Sequence, residues 1–294
     1  MLWHAGSAQE EGGYFIALME GFSDLGYVEG KTAHFEHRYA DEHYERFPAM
    51  TEELIAAKCD VIMASILPAA AAAARLTSSI PIVFVIVSDP VRSGLADSLA
   101  RPGRNLTGMS NVTDDLTAKR VHMLKEVVPA LKRLGVLFNP VGAGPHIFEQ
   151  HRQAAAGLAI ETVPLEVRGP PDIEPVLAAA AAQRLDGVAV ASDGNLFNAR
   201  KRLGDWAIEQ RVAMTAANLD SVQAGALMAY GPNHTDIFRR STAVVDKILK
   251  GEKPATIPIQ QPIAFNLRLN LKTARTIGVA IPPTVLALAD EVIE

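Results

Sequence analysis

From Ile80 to Val87 the chain reads IPIVFVIV, without one polar residue, and then stops at Ser88-Asp89-Pro90. An apolar run that does not alternate and is rich in β-branched residues fits a parallel strand covered by helices on both faces. On either side of it the period changes. GYFIALMEGFSDLGY places Phe15, Ile16, Leu18, Met19, Phe22 and Leu25 at helical spacing, with Gly26 as its stop. TAHFEHRYA alternates as a strand should, ERFPAMTEELIAAK is helical, DVIMAS is a strand, and PAAAAAARLTS is a helix led by Pro68. Four strand–helix units in the first hundred residues predict a parallel sheet with right-handed crossovers.

The rhythm restarts after NLTGMSNVTDD. The helix LTAKRVHMLKEVVP leads to the strand RLGVLFNP, HIFEQHRQAAAGL to AIETVPLEV, and DIEPVLAAAAAQR to DGVAVASDG. A helix from Leu196 to Gln210 then precedes the strands VAMTAA and GALMAYGP. This predicts a second α/β lobe of similar size, without a close sequence repeat. Beyond YGPNHTD the pattern gives a helix, IFRRSTAVVDKILKG, and then EKPATIPIQQP, too rich in proline for a central strand. IAFNLRLNLKTARTIG is strand then helix, and PPTVLALADEVIE is expected to close the chain helically. A chain that visits one lobe, moves to the other and returns accounts for this tail.

Length and composition narrow the picture. With 294 residues, 49% of them hydrophobic, the chain suits two domains with proper cores. The net charge of −5 is mild and the lysines and arginines are scattered, so a basic face for nucleic acid is unsupported. No apolar run reaches the length of a membrane span. The single Cys59 excludes an internal disulfide and a multi-thiolate zinc site, and its place at the entry to DVIMAS predicts a buried, inert thiol. MLWHAGS reads as the second half of a strand followed by a Gly-Ser loop, without a basic and apolar leader. Something upstream is therefore expected to have been removed, a signal sequence being one candidate.

Three long segments carry a resemblance. EGFSDLGYVEGKTAHFEHRYADEHYERFPAMTEELIAAKCDVIMAS, IPIVFVIVSDPVRSGLADSLARPGRNLTGMS and VDKILKGEKPATIPIQQPIAFNLRLNLKTARTIGVAIPPTVLALADEVI resemble ABC-transporter substrate-binding proteins of the family that includes tryptophan- and phenylalanine-binding members. The combination of SDPV, RPGRNLTG, YGP and DKILKGEKPA is specific, and the match covers nearly the whole chain in the family's order. The resemblance implies the type I periplasmic-binding-protein fold: two doubly wound parallel-sheet α/β lobes joined by a three-crossing hinge, with ligand held in the cleft. The crossings would fall near Thr107–Thr113, Ala229–Asn233 and Pro262–Arg268. One lobe would comprise residues 1–111 plus 234–262, the other 112–233 plus 263–294. It also implies a periplasmic or lipid-anchored extracytoplasmic location with the export signal removed, an ABC permease as partner, no cofactor, no bound metal and a monomer.

A small zwitterion in a closing cleft needs donors for its carboxylate, an acceptor for its ammonium and apolar walls. Hydroxyls and helix-start N–H groups serve the first need. The first lobe offers Ser7, Ser65, Ser88 and Ser110 on strand-end loops, with simple capping as the alternative for Ser7 and Ser65. Asp89 is a candidate ammonium partner, or the start of a turn before Pro90. The second lobe offers Asn139, Asp193 and Tyr230, with Asp193 the preferred ammonium ligand or else an N-cap. Asn198 and Phe197 lie one turn further, reaching inward or packing. Ile66 and Leu67 in ASILPAAA make that wall apolar, and Trp3, His4 and Tyr14 could add an aromatic one. An amino-acid-like solute with an aromatic or branched body, or another small carboxylate, is the expectation.

Catalytic alternatives find little in the sequence. There is no Gly-x-Ser-x-Gly elbow, no Gly-x-x-x-x-Gly-Lys loop and no His-Glu-x-x-His. His34 and His37 fall on opposite faces of an alternating strand, and GAGP is a turn too short for a dinucleotide fingerprint. An amino-acid isomerase or racemase would want an acid–base pair, often two cysteines. A ligand-sensing regulator would need an attached DNA-binding or signalling module. Capture of a small solute is the function the sequence favours, and no reaction is expected.

Overall fold

In the computed structural model, which describes residues 1–141 and 144–294, the chain opens with β1 (Leu2–Trp3), α1 (Ala8–Glu11) and α2 (Gly13–Asp24). Next come β2 (Arg38–Tyr39), α3 (Phe47–Ala56), β3 (Ile62–Ser65), α4 (Ile66–Leu76), β4 (Ile82–Val87) and β5 (Leu106–Ser110). The middle of the chain forms α5 (Thr117–Val127), β6 (Arg133–Phe138), α6 (Gly144–Ala156), β7 (Glu161–Glu166), α7 (Ile173–Ala181) and β8 (Gly187–Val190). It continues through α8 (Gly194–Asn198), α9 (Arg200–Glu209), β9 (Ala213–Ala216) and β10 (Met228–Pro232). The last elements are α10 (His234–Leu249), β11 (Phe265–Asn270), α11 (Leu271–Ile277), α12 (Pro283–Leu286) and β12 (Glu291–Ile293). Two compact units result: Met1–Val112 with Asn233–Ile263, and Thr113–Pro232 with Ala264–Glu294.

The first unit is built on an all-parallel sheet in the order β2-β1-β3-β4-β5. Its central strands are buried on both faces, which is why their sequences show no alternation. Rings fill the space beside β1. Trp3 is wholly buried, stacks on Phe238 with centroids 5.5 Å apart, and donates its indole N–H to His37 Nδ1 over 3.0 Å. Phe238 belongs to α10, so the returning helix completes this core. It packs closely on α2 because position 21 is glycine: a Cβ there would lie 2.8 Å from the Arg239 carbonyl oxygen.

The second unit has a seven-stranded sheet ordered β12-β11-β10-β9-β8-β6-β7. It is mixed rather than purely parallel, because β10 and β11 run antiparallel from Met228↔Leu269 to Pro232↔Phe265. Three other expectations are corrected. The alternating TAHFEHRYA yields only the two-residue β2, because Thr32 and His34 bond locally to Gly26 and Glu29. The helix expected over Leu196–Gln210 starts earlier and is two pieces divided at Ala199. The chain does not end helically: after α12, residues Glu291–Ile293 pair in parallel with Arg268–Asn270 as an edge strand. Cys59 is half-buried, and its burial pushes the thiol pKa up, which suits an inert group. Gly142 and Ala143 of the GAGP turn lie outside the described residues.

Candidate functional site

In open α/β sheets ligands sit beyond the carboxyl ends of the strands, so the residues just after each strand are the place to look. In the first unit the loop after β1 contains Ser7, whose hydroxyl accepts the Glu10 N–H over 3.2 Å and caps α1. Next to it His4 is buried between two carboxylates, its Nδ1 2.7 Å from Glu42 Oε1 and its Nε2 3.6 Å from Glu11 Oε2. Burial raises the Glu11 carboxyl above the usual range, with His4 and the Ala5 N–H pulling the other way. His4 is a candidate wall residue by sequence, but its carboxylate partners have no local signal, because the members of this cluster lie up to 38 positions apart.

Ser65 and Ser110 both give their hydroxyl protons to backbone carbonyls. Ser65 is fully buried and donates its hydroxyl to the Leu2 carbonyl over 3.0 Å, tying β3 to β1. Ser110 is equally covered and donates to the Ser88 carbonyl over 2.9 Å, closing the end of β5 against β4. Ser88 is half-buried and donates to Asn111 Oδ1 over 2.9 Å. The structure therefore brings Ser88, Ser110 and Asn111 together. Asp89 begins a turn: one carboxylate oxygen accepts the Arg92 N–H over 2.9 Å, and the other lies 3.5 Å from the Arg92 guanidinium. Its side chain remains 41% exposed.

In the second unit β6 and β8 are neighbours, and their ends place Asn139 beside Asp193. Asn139 Nδ2 donates to Asp193 Oδ2 over 3.2 Å, and its Oδ1 accepts the Val141 N–H over 3.0 Å, fixing the amide's orientation. Asp193 Oδ1 accepts the Leu196 N–H over 3.2 Å, so the carboxylate also caps α8. Two residues on, Asn195 is buried and its Oδ1 has no hydrogen-bond partner among the described residues. Phe197 packs under the Arg200 guanidinium, 4.1 Å from its ring centroid, and Asn198 is the exposed last residue of α8. Tyr230 stands apart from that pair. Its hydroxyl accepts from Lys119 Nζ over 2.8 Å, and its carbonyl accepts from the buried Arg120 over 3.3 Å. Arg120 also donates to the Thr113 carbonyl and the Thr117 hydroxyl, fixing the start of α5. Lys119 and Arg120 were unremarkable in a helical pattern. Among the described residues no cluster could hold a metal ion, and no helix is long and apolar enough to cross a membrane.

Two α/β units, each with polar side chains on loops at the carboxyl ends of its strands, have the arrangement in which open α/β sheets hold small ligands. The sequence profile of the ABC transporter substrate binding protein family matches residues 9–293, and the chain belongs to that family, whose members are non-catalytic, extracytoplasmic transport components. A Clostridioides difficile protein named tyrosine-binding protein is 25% identical over 247 residues, 83% of this chain and 70% of that protein. The crystal structure of a conserved domain protein from Vibrio cholerae is similar with a TM-score of 0.92 and 26% identity, covering 99% of this chain and 98% of that one. A domain from Streptococcus pneumoniae solved in complex with L-Trp is similar in fold, with a TM-score of 0.91 at 20% identity over the same shares.

Proposed function

We propose that the chain captures a small amino acid with an aromatic or branched side chain and delivers it to an ABC permease. The observation that carries this reading is the Asn139–Asp193 pair: a carboxylate oriented by neutral donors at the ends of two adjacent strands. A carboxylate oriented by N–H groups can still accept from an ammonium, and such charge-assisted bonds are about twice as strong as neutral ones. The buried Asn195 amide offers a further acceptor close by along the chain. From the first unit, the Ser7 hydroxyl, which accepts in its cap and keeps its own proton, would donate to the solute carboxylate, and Ser88, whose proton goes to Asn111, would offer its oxygen, with Asp89 and its bound Arg92 at the rim. Tyr230 and Asn198 would complete the second unit's contribution. The tyrosine-binding relative supports an amino acid as the solute class. Solute binding would shift the protein toward a closed form, and that form is what the permease would recognise.

Calorimetric titration with a panel of L-amino acids and matched carboxylates tests this. Binding of one or a few apolar-bodied L-amino acids is the expected result. Saturable binding confined to solutes without an amino group would overturn it.

A further inference from the structure

Nine non-glycine residues among those described have a left-handed backbone, and they sort by chemistry. Lys58, Ala159, Arg184 and Arg211 follow the ends of helices, where this conformation is ordinary. Asp41 and Glu42 form a tight turn after β2. The remaining three are β-branched: Ile66 at φ 59°, Ile86 at φ 58° and Val112 at φ 44°. A β-branched side chain in this region is a genuine outlier, because its Cβ substituents crowd the backbone. All three leave the carboxyl ends of adjacent strands of one sheet, β3, β4 and β5.

The register brings two of them side by side. Ser65, the last residue of β3, pairs with Val85; Ile86 follows Val85 within β4, and Ile66 follows Ser65 as the first residue of α4. Ile86 is also the bulge in β4: pairing with β5 jumps from Val85↔Met109 to Val87↔Ser110 and leaves Ile86 between. A bulge re-aims the side chain it carries and occurs often beside binding sites. Its effect shows in the burial. Every residue of β4 is buried except Ile86, which is half-exposed, as is Ile66. Glycine or asparagine would satisfy both backbones with less strain, so isoleucine at these positions points to a role for its side chain.

We infer that Ile66 and Ile86 determine solute specificity: the strained backbone turns two branched side chains out of the sheet to contact the solute's apolar side chain. The inference rests on the amino-acid reading above and assigns the part of the solute that the first unit reads. Neither residue is needed for the ammonium or carboxylate. Their removal therefore shifts preference between solutes.

The test uses the full chain and the variants Ile66→Gly, Ile86→Gly, Ile66→Asn and Ile86→Asn, with Lys58→Gly as a control at the opposite end of β3. Wild type is first titrated with L-Tyr, L-Trp, L-Phe, L-Leu, L-Ala and L-Ser. Each isoleucine variant is expected to bind the preferred apolar solute roughly tenfold more weakly, the loss of about two buried methylenes, while L-Ala and L-Ser change less than twofold. Melting temperature without solute is expected to hold or rise by about 3 °C in the glycine variants, as relief of strain requires. Lys58→Gly is expected to leave every affinity unchanged. Folded isoleucine variants with wild-type affinity and preference would overturn the specificity role alone, leaving the amino-acid reading intact. An equal loss for all solutes would overturn it too, as a sign of damage to the common binding groups. A folded wild type that binds no amino acid of the panel would overturn the underlying reading and this inference with it.

Discussion

The two units share an α/β plan but differ in what fills them and in what they present. The first is built around rings: Phe238 stacks on both Trp3 and Tyr14, with Phe15, His37 and Tyr39 against the same indole. The second packs mainly aliphatic side chains on both faces of its sheet, with Trp206 on one of them. Their strand ends differ in the opposite sense. The first unit uses Ser65 and Ser110 internally and leaves two left-handed isoleucines half-exposed, Ile66 also packing against its core. The second ends two neighbouring strands in an amide and a carboxylate. A sheet edge is thus specialised by how its polar groups are spent: a hydroxyl has one proton to give, whereas a carboxylate that caps a helix keeps further lone pairs. On this account the first unit's isoleucines read apolar shape beside its carboxylate contacts, and the second unit reads the ammonium.

The largest expected effect breaks the first unit's core. Trp3→Ala should destabilise that unit by about 4 kcal/mol, through cavity formation and loss of ring contacts, and leave the second unit's unfolding transition in place. Calorimetric scanning checks this, and a single transition lowered as a whole would show the units to be thermodynamically one. Asp193→Asn comes next. The amide can still cap α8, so melting should change little, while amino-acid affinity should fall about 100-fold, or roughly 2.7 kcal/mol, as an ionic partner is lost.

Acid comes third and acts on both units. Burial lowers His151 in the second unit and His37 in the first from 6.5 to about 4. In that window the unfolded chain takes up protons that the native imidazoles refuse, so stability falls as the pH drops from 6.5 toward 4. The more deeply buried His151 should dominate, costing roughly 2 kcal/mol by about pH 4.5. Chemical denaturation of His151→Leu should show a shallower pH slope than wild type. An unchanged slope would assign the effect elsewhere. The smallest effect belongs to Arg239→Ala, which removes exposed pairs to Glu20 and Asp24 and should cost less than about 1 kcal/mol, fading in salt.

The contrast also explains what the chain's pattern disclosed. Strands β3, β4, β6 and β8 were legible because burial on both faces leaves an uninterrupted apolar run. The last strand was not. Val285, Leu286 and Leu288 fit a continuing helix, and only pairing with β11, more than twenty positions away in the chain, makes Glu291–Ile293 extended. The candidate site divides in the same way. Asp193 and Asn139 stand out locally, beyond apolar strands. The fate of Ser65 depends on a carbonyl 63 residues away, and the His4–Glu42 contact on a loop after another strand. Left-handed isoleucines have no sequence signature at all, since every propensity argues against them.

The most direct test of charge recognition by the second unit is a calorimetric comparison of L-tyrosine with its deaminated analogue, 3-(4-hydroxyphenyl)propionate, on wild type and Asp193→Asn. The account predicts that wild type strongly prefers the amino acid and that Asp193→Asn loses most of that preference. Equal binding of the two solutes by wild type, or a preference untouched by Asp193→Asn, would contradict it.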